Sequence, residues 1–295
     1  MDLNRLVDGL HLPHPGRVSP AFARIAAGLV RPLVRLCHRP SLSGLEHLPR
    51  DRPFLLVGNH SGGLGLAEIT CLLALYLEQA GPDRPLAGFA HPLAFRVFPF
   101  AQFLHGMGAV PATYAAAERT LAAGTALLVF PGGDHETMRP IWQANRVDFG
   151  GRVGFLRVAR TAGVDIVPMG IRGGHMTAPV LLRSRLLAWL LVLPRLLGIK
   201  RWGLSALGLV GALALVALLP LAWPWRLAAV AAWLTSPLAF TPWLPWTVRI
   251  RVGPPIAAAE LFSDGGSAVD LARALAQVQA AVQELVDRPA SDAAP

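Results

Sequence analysis

The sequence predicts an α/β fold, a central sheet flanked by helices, with an inserted apolar helical hairpin suited to a membrane. Three observations carry that prediction. Short apolar runs at 54–58, 126–130 and 164–169 alternate with segments of helical periodicity, the pattern of buried strands joined by helices. Charged residues are only 15% of the 295-residue chain and apolar ones 53%, whereas a soluble domain is usually roughly a quarter charged. The excess apolarity is also local: no charged residue occurs from Trp202 to Trp225, and after Arg226 none until Arg249.

This composition excludes a disordered chain, and the length suits one large or two small domains. The formal net charge is +9, from 27 Lys+Arg of which Lys200 is the single lysine. A strongly basic chain points to nucleic acid, anionic headgroups or phosphorylated substrates. There is too little polar surface here for a nucleic-acid partner, so lipid and phosphate are the expected ones. Cys37 and Cys71 form no metal-ligand pattern and demand no disulfide; no metal site is expected.

Four regions are expected in order: an amphipathic membrane-surface region at 1–50, an α/β core at 51–180, an apolar membrane-embedded helical segment at 181–248, and a closing strand with a C-terminal helix at 249–295. The first nineteen residues carry Asp2, Arg5, Asp8 and Arg17 and lack the apolar stretch of a secretory leader. Phe22, Ile25, Ala26, Leu29, Leu33 and Val34 then recur at helical spacing between Arg24, Arg31 and Arg35, a basic amphipathic helix able to lie on a membrane or to pack. A helix is expected over 66–79 and another over 153–162.

Gly203 to Ala222 has the roughly 20 apolar residues of a membrane-crossing helix. Prolines 237, 242 and 245 weaken the second stretch. Arg195, Lys200 and Arg201 precede the segment and Arg249 and Arg251 follow it. Positive charge at both ends places both on the cytoplasmic side, which needs a hairpin or a shallow dip. The expected site then faces the cytoplasm at the cytoplasmic membrane. Trp202, Trp243 and Trp246 would mark one interface, and Trp223 and Trp225 the other. Leu271, Leu275, Val278, Val282 and Leu285 form one stripe of a last helix at 268–286, ahead of a Pro- and Ala-rich tail.

Chemistry is expected at the loops that follow strand ends. His135-Glu136-Thr137-Met138-Arg139 lacks the second histidine of a zinc-protease helix, and Asn59-His60-Ser61-Gly62-Gly63 lacks the glycine two before the serine that a nucleophile elbow needs. What remains is a constellation. His60 ends an apolar strand, where a half-exposed imidazole is suited to take a proton from an alcohol. Pro131, Gly132 and Gly133 allow backbone N–H groups to approach an anion, with Asp134 and Glu136 beside them. Arg139, Arg146, Arg152 and Arg172 follow, with forked guanidinium groups that match phosphate.

Val57-Gly58-Asn59-His60-Ser61-Gly62-Gly63, Gly108-Ala109-Val110-Pro111, Val129-Phe130-Pro131-Gly132-Gly133 and Ile166-Val167-Pro168 resemble, in order, the four blocks of the glycerolipid acyltransferases. These include the bacterial 1-acylglycerol-3-phosphate acyltransferases and, through the Phe-Pro-Gly-Gly form, the mono- and diacylglycerol acyltransferases. Residues 249–256 look like the family's closing strand. The resemblance implies that His60 is the base and that acyl-CoA or acyl carrier protein donates the acyl group as co-substrate, with no other cofactor. A hydroxyl of a membrane glycerolipid, lysophospholipid or acylglycerol, would attack the thioester. Gly108, Val110 and Pro111, with Pro131, Gly132 and Gly133, would line the acceptor site. Arg139, Arg152 and Arg172 are the candidates for phosphate contacts.

The chain departs from the family pattern twice. The aspartate expected five residues after the histidine is Gly65, and position 67 is Ala. Glu68 is the nearest carboxylate able to orient the imidazole; Asp134 or Glu136 are alternatives, or the dyad is absent. Gly132 replaces the glutamate of the phosphate-acceptor enzymes, which favours neutral or unusual acceptors. If the dyad is lost, the chain is a lipid-binding protein on a decayed acyltransferase fold; if water replaces the alcohol, it is a thioester hydrolase. Oligomeric state is not legible.

Overall fold

A computed structural model describes residues 15–289, apart from 82, 97, 99, 197 and 264–267. Residues 1–14 and the tail beyond 289 lie outside the described residues.

Helix α1 occupies 20–38, α-helical over Pro20–Ile25 and Arg31–His38 with a π-helical turn at Ala26–Val30 between them. Ser19 caps it, accepting the Phe22 N–H. After β1 (Ser41–Ser43), the central strand β2 (Leu55–Gly58) leads into α2 (Leu66–Gln79), the helix expected there. Next come β3 (Leu86–Ala90), α3 (Phe100–Gly106), β4 (Val110–Pro111), α4 (Tyr114–Ala122) and β5 (Ala126–Val129). The short α5 (Asp134–Thr137) and then α6 (Gly154–Ala162) precede β6 (Ile166–Arg172).

The chain then leaves the sheet through α7 (Gly174–Thr177), β7 (Val180–Ser184), α8 (Arg185–Leu190), α9 (Leu193–Leu196) and β8 (Trp202–Ser205). Two helices, α10 (Ala206–Leu218) and α11 (Trp223–Thr235), follow, and the chain returns with β9 (Arg249–Val252), α12 (Ala258–Leu261) and α13 (Ala268–Asp287).

Seven strands form one sheet in the order β1-β9-β6-β2-β5-β3-β4. Strands β2 to β6 pair in parallel among themselves, β9 pairs antiparallel with β6, and β1 is parallel to β9. The sheet is therefore mostly parallel, with helices on both faces. On one face Leu55, Val57, Leu127 and Ile166 meet Leu156 of α6 and Val278 and Val282 of α13. On the other, Leu56, Val167, Met169 and Ile250 meet Cys71 and Leu75 of α2 and Val34 of α1. Burial on both sides explains why these strands read as continuous apolar runs.

Helix α1 carries two apolar faces instead of one. Phe22, Ala26 and Val34 are buried, whereas Ile25, Leu29, Leu33 and Leu36 are exposed. Arg35 and Arg31 reach Glu78 of α2 at 2.8 and 3.6 Å and fix which face turns inward.

The expected membrane-crossing hairpin is not formed. Residues 202–205 belong to β8, paired with β7, and α10 is stopped before Pro220. Both α10 and α11 have 13 residues, about 20 Å at 1.5 Å per residue, against a hydrocarbon core of roughly 30 Å. Among the described residues no helix is long and apolar enough to cross a membrane. Trp202 is not an interface anchor either. It is 5% exposed, in a third apolar cluster with Met138, Val180, Ala188, Ala239 and Phe240, and its Nε1 donates to Leu234 O at 2.9 Å. This cluster roots α10 and α11 against the sheet domain, while Arg226 closes their turn by donating to Leu221 O and Val216 O.

Gly170 of β6 marks the closest approach of sheet and helix: a Cβ there would lie 2.5 Å from Leu285 Cβ. Gly170→Ala is expected to destabilise the fold by about 1–3 kcal/mol in urea denaturation. Gly88→Ala, in β3 with open space around the position, is expected to be neutral or slightly stabilising.

Candidate active site

The site is built at the carboxyl end of β2. The Asn59 side chain continues the ladder after the strand ends, donating from Nδ2 to Ile171 O at 2.8 Å and accepting from Ile171 N at 2.7 Å. This fixes the backbone from which His60 projects. The imidazole stacks on Phe130, centroids 4.5 Å apart and planes 12° apart, and its side chain is 14% exposed.

Glu68, in the first turn of α2, has a fully buried side chain. Its Oε1 accepts from His60 Nδ1 and from Ser61 N at 3.0 Å, and its Oε2 accepts from Ser61 Oγ. An acceptor at Nδ1 fixes the tautomer that carries its proton there and leaves Nε2 with a free lone pair. The N-terminal end of α2 favours the negative charge.

Gly65 explains how the carboxylate comes to stand three residues later than the family pattern. Its φ is +72°, and a Cβ would lie 2.1 Å from His60 Cε1, 2.8 Å from Nδ1 and 2.9 Å from Glu68 Oε1. The imidazole and the Glu68 carboxylate occupy the space a side chain at 65 would need. Gly174 gives the same room on the far side, where a Cβ would meet Ser61 Oγ at 2.1 Å.

The turn after β5 supports the same histidine from below. Glu136 of α5 is buried; its Oε2 accepts from His60 N at 2.9 Å and its Oε1 from Asp148 N at 3.0 Å. Burial pushes this carboxyl up to about 7, against the two backbone donors and the nearby Arg139. Gly132 makes its place, since a Cβ there would fall 2.2 Å from Glu136 Oε2. His175, also buried, donates from Nε2 to Glu136 O at 3.2 Å, and burial holds it down to about 4. Arg152 clamps the turn, donating to Gly132 O at 2.8 Å and Pro131 O at 3.3 Å while pairing with Asp134.

Of the carboxylates considered for the histidine, the structure thus brings Glu68 to the imidazole and Glu136 to the backbone, and turns Asp134 to Arg152. The arginines expected at a phosphate are otherwise engaged. Arg139 is 2% exposed, with its guanidinium on Arg146 O and Asp148 O and 3.8 Å from Glu136. Arg172 donates to Val286 O at 3.0 Å, at the end of α13. Only Arg152 keeps a half-exposed side chain beside the turn.

Gly108, Val110 and Pro111 lie three strands from β2, at the sheet edge. Val110 is core, and Gly108 accommodates the backbone of Gly16 and Arg17. They are not brought to His60. Ser61, Asn59, Phe130 and Gly174 join the site only through the fold; the hydroxyl directly after the histidine is the one signal of them in the sequence. Among the described residues no group of three or more His, Cys, Asp and Glu is placed to hold a metal ion.

Residues 39–172, a stretch that includes His60, match the family model described as Acyltransferase. An uncharacterized protein of Mycobacterium tuberculosis is 31% identical over 207 residues, 68% of this chain and 55% of that protein. Another from Mycobacterium leprae is 30% identical over 205 residues, covering 68% and 53%. The chain therefore spans about half the length of these curated relatives. Phytyl ester synthase 2, chloroplastic, of Arabidopsis thaliana is 29% identical over 148 residues, 48% of this chain and 20% of the synthase. Among solved structures, the 1-acyl-sn-glycerophosphate (LPA) acyltransferase PlsC from Thermotoga maritima superposes with a TM-score of 0.51 at 16% identity, covering 91% of this chain and 81% of that one. At that identity the likeness is one of fold.

Two predictions come from this geometry. Gly65→Asp, which restores the family letter, is expected to disrupt the site: the new Cβ meets the imidazole, and a non-glycine residue at φ +72° adds backbone strain. The expected readouts are a lowered melting temperature and loss of the Nδ1-protonated ¹⁵N signature of His60. His175 has a folded pKa below its ordinary 6.5, so the stability it contributes is present above pH 6.5 and lost as pH falls through about 4. Fully protonated, that loss is on the order of 3 kcal/mol. His175→Gln is expected to flatten the stability–pH curve over this window, measured by urea denaturation.

Proposed function

We propose that the protein is a membrane-associated O-acyltransferase that moves a fatty acyl group from acyl-CoA or acyl carrier protein to a hydroxyl of a glycerolipid. The observation that carries this reading is the His60–Glu68 pair at the carboxyl end of β2, inside the stretch matched by the acyltransferase family model. Glu68 holds the Nδ1 proton, and Nε2 takes the proton from the acceptor hydroxyl. The hydroxyl oxygen attacks the thioester carbonyl carbon, forming a tetrahedral oxyanion. Collapse of that intermediate breaks the C–S bond, and the imidazolium returns its proton to the departing thiolate. Ser61 and the Glu136 carboxylate hold the dyad rigid while charge passes through it.

Glu68 beside the imidazole supports an enzyme over a lipid-binding protein on a decayed fold. Gly132 in place of a glutamate and a relative titled phytyl ester synthase favour a neutral alcohol as one acceptor class. Attachment to the cytoplasmic membrane, with the site on the cytoplasmic face, is supported by exposed Ile25, Leu29, Leu33 and Leu36 on α1 and by Leu213, Trp223 and Trp225 on the α10–α11 pair. Attachment from one side is the form this proposal takes, in keeping with the 13-residue length of α10 and of α11.

Purified protein given labelled acyl-CoA, with lysophospholipids, monoacylglycerols and long-chain alcohols in turn, is expected to transfer label to an acceptor. His60→Ala is expected to lower kcat about 10²–10⁴-fold. Glu68→Gln, which presents an amide to Nδ1 and favours the wrong tautomer, is expected to lower it by on the order of 10³–10⁴-fold. Full transfer by His60→Ala would sink the mechanism, and release of CoA without an acceptor would make the protein a hydrolase. Alkaline carbonate is expected to release a substantial part of the chain from membranes, as one-sided attachment allows.

A further inference from the structure

The tetrahedral oxyanion of the proposed reaction needs a hydrogen-bond donor, and the turn after β5 holds one that the fold leaves unused. The neighbouring groups of that turn are engaged. Gly133 N donates to Phe130 O at 3.1 Å, and Gly133 O accepts from Glu136 N at 3.1 Å and Thr137 N at 3.0 Å. Gly132 O accepts from His135 N at 2.9 Å and from the Arg152 guanidinium at 2.8 Å. Pro131 has no N–H, and its carbonyl accepts from Arg152 at 3.3 Å. Gly132 itself is buried, and its N–H has no hydrogen-bond partner among the described residues. Buried backbone N–H groups are almost always paired.

Two features orient and bare this donor. A trans peptide is planar, with its C=O and N–H on opposite sides, so the guanidinium that holds Pro131 O turns the Gly132 N–H to the other side of that peptide. Glycines at 132 and 133 place no side chain over it, and Gly133 adopts φ +43° and ψ −129°, a conformation open to glycine. The same turn touches the dyad. Phe130 stacks on the His60 ring, and the Cβ that Gly132 lacks would fall 2.2 Å from the Glu136 Oε2 that accepts from His60 N. One carboxylate thus links the unpaired N–H to the base.

We propose that the Gly132 N–H donates to the thioester oxyanion, and that Arg152 positions it through Pro131 O and Gly132 O. As the acceptor oxygen bonds to the carbonyl carbon, the C=O electron pair moves onto the carbonyl oxygen and is met by this N–H. The pair returns when the C–S bond breaks, and the thiolate takes the proton from the imidazolium. Arg152 touches no reacting atom; it is a positioning residue. The inference rests on the proposed acyl transfer. No transfer by the wild type refutes both, whereas undiminished transfer by Arg152→Gln refutes the inference alone.

Transfer is measured with acyl-CoA and with the matching acyl-pantetheine, which has the same thioester and no phosphate. Arg152→Gln, with rates referred to the folded fraction measured by circular dichroism, is expected to lower kcat on the order of 10²-fold with both donors and to leave KM nearly unchanged. Arg152→Lys, which can still reach a carbonyl, is expected to recover part of that loss. Arg119→Gln, which removes an exposed charge on α4, is expected to match the wild type. Labelling with ¹³C′-proline and ¹⁵N-glycine isolates the Pro15-Gly16 and Pro131-Gly132 amides. A saturating pantetheine alkylphosphonothioate, a tetrahedral anion, is expected to move the Gly132 proton downfield and leave Gly16 in place. Arg152→Gln is expected to abolish that shift. Wild-type kcat in Arg152→Gln, or a Gly132 amide that the saturating probe does not move, would overturn the proposal. So would a loss confined to KM for acyl-CoA, which would make Arg152 a ligand of the donor phosphate.

Discussion

Burying the Glu68 carboxylate beside His60 is the constraint around which this domain is arranged. A buried carboxylate without partners costs several kcal/mol, so its oxygens must all be met. They are, by the imidazole and by the Ser61 N–H and hydroxyl. Meeting them requires the loop 59–65 to fold tightly back on α2, and that in turn requires space. Gly65 and Gly174 supply it, Asn59 ties the loop to β6, and Phe130 supports the flat face of the ring.

The same solution occurs twice. In the turn after β5, Gly132 is the empty position and Glu136, one helical turn later, is the buried acid that fills it. In both places a carboxylate on the first turn of a helix reaches back over a glycine in the preceding loop. The two acids then act on one residue from different directions, Glu68 on the His60 ring and Glu136 on the His60 backbone. A histidine held at ring and backbone keeps one orientation.

The apolar lobe is joined to this site by packing. Phe240 lies against Gly63, where a Cβ would be 3.1 Å from its ring, and Leu64 and Met138 enter the same cluster as Trp202. Both active-site loops therefore contribute to the base on which α10 and α11 stand. The outer faces of these helices, of α1 and of α8–α9 are apolar and exposed, whereas the inner faces are core. These exposed apolar faces and the His60–Glu68 pair are parts of one packed unit.

Much of the domain was legible from local pattern. Fully buried strands β2, β5 and β6 read as apolar runs, α2 and α13 as helical periods, and His60 as the residue at a strand end, because those signals are set by neighbours in sequence. Other features depend on what is adjacent in space. The sequence ranked Glu68 as one of three carboxylates; only the approach of α2 to the loop, over the vacancy at Gly65, decides among them. Arg139 and Arg172 look like phosphate ligands until packing turns one to buried carbonyls and the other to the end of α13. The apolar stretch has the length of a membrane span, yet pairing of its first four residues with β7 and the stop at Pro220 divide it into short helices. Composition determined that the chain is apolar and basic; the tertiary contacts decided which of those side chains are buried and which charges are paired, because a side chain's partners are fixed by packing and not by spacing.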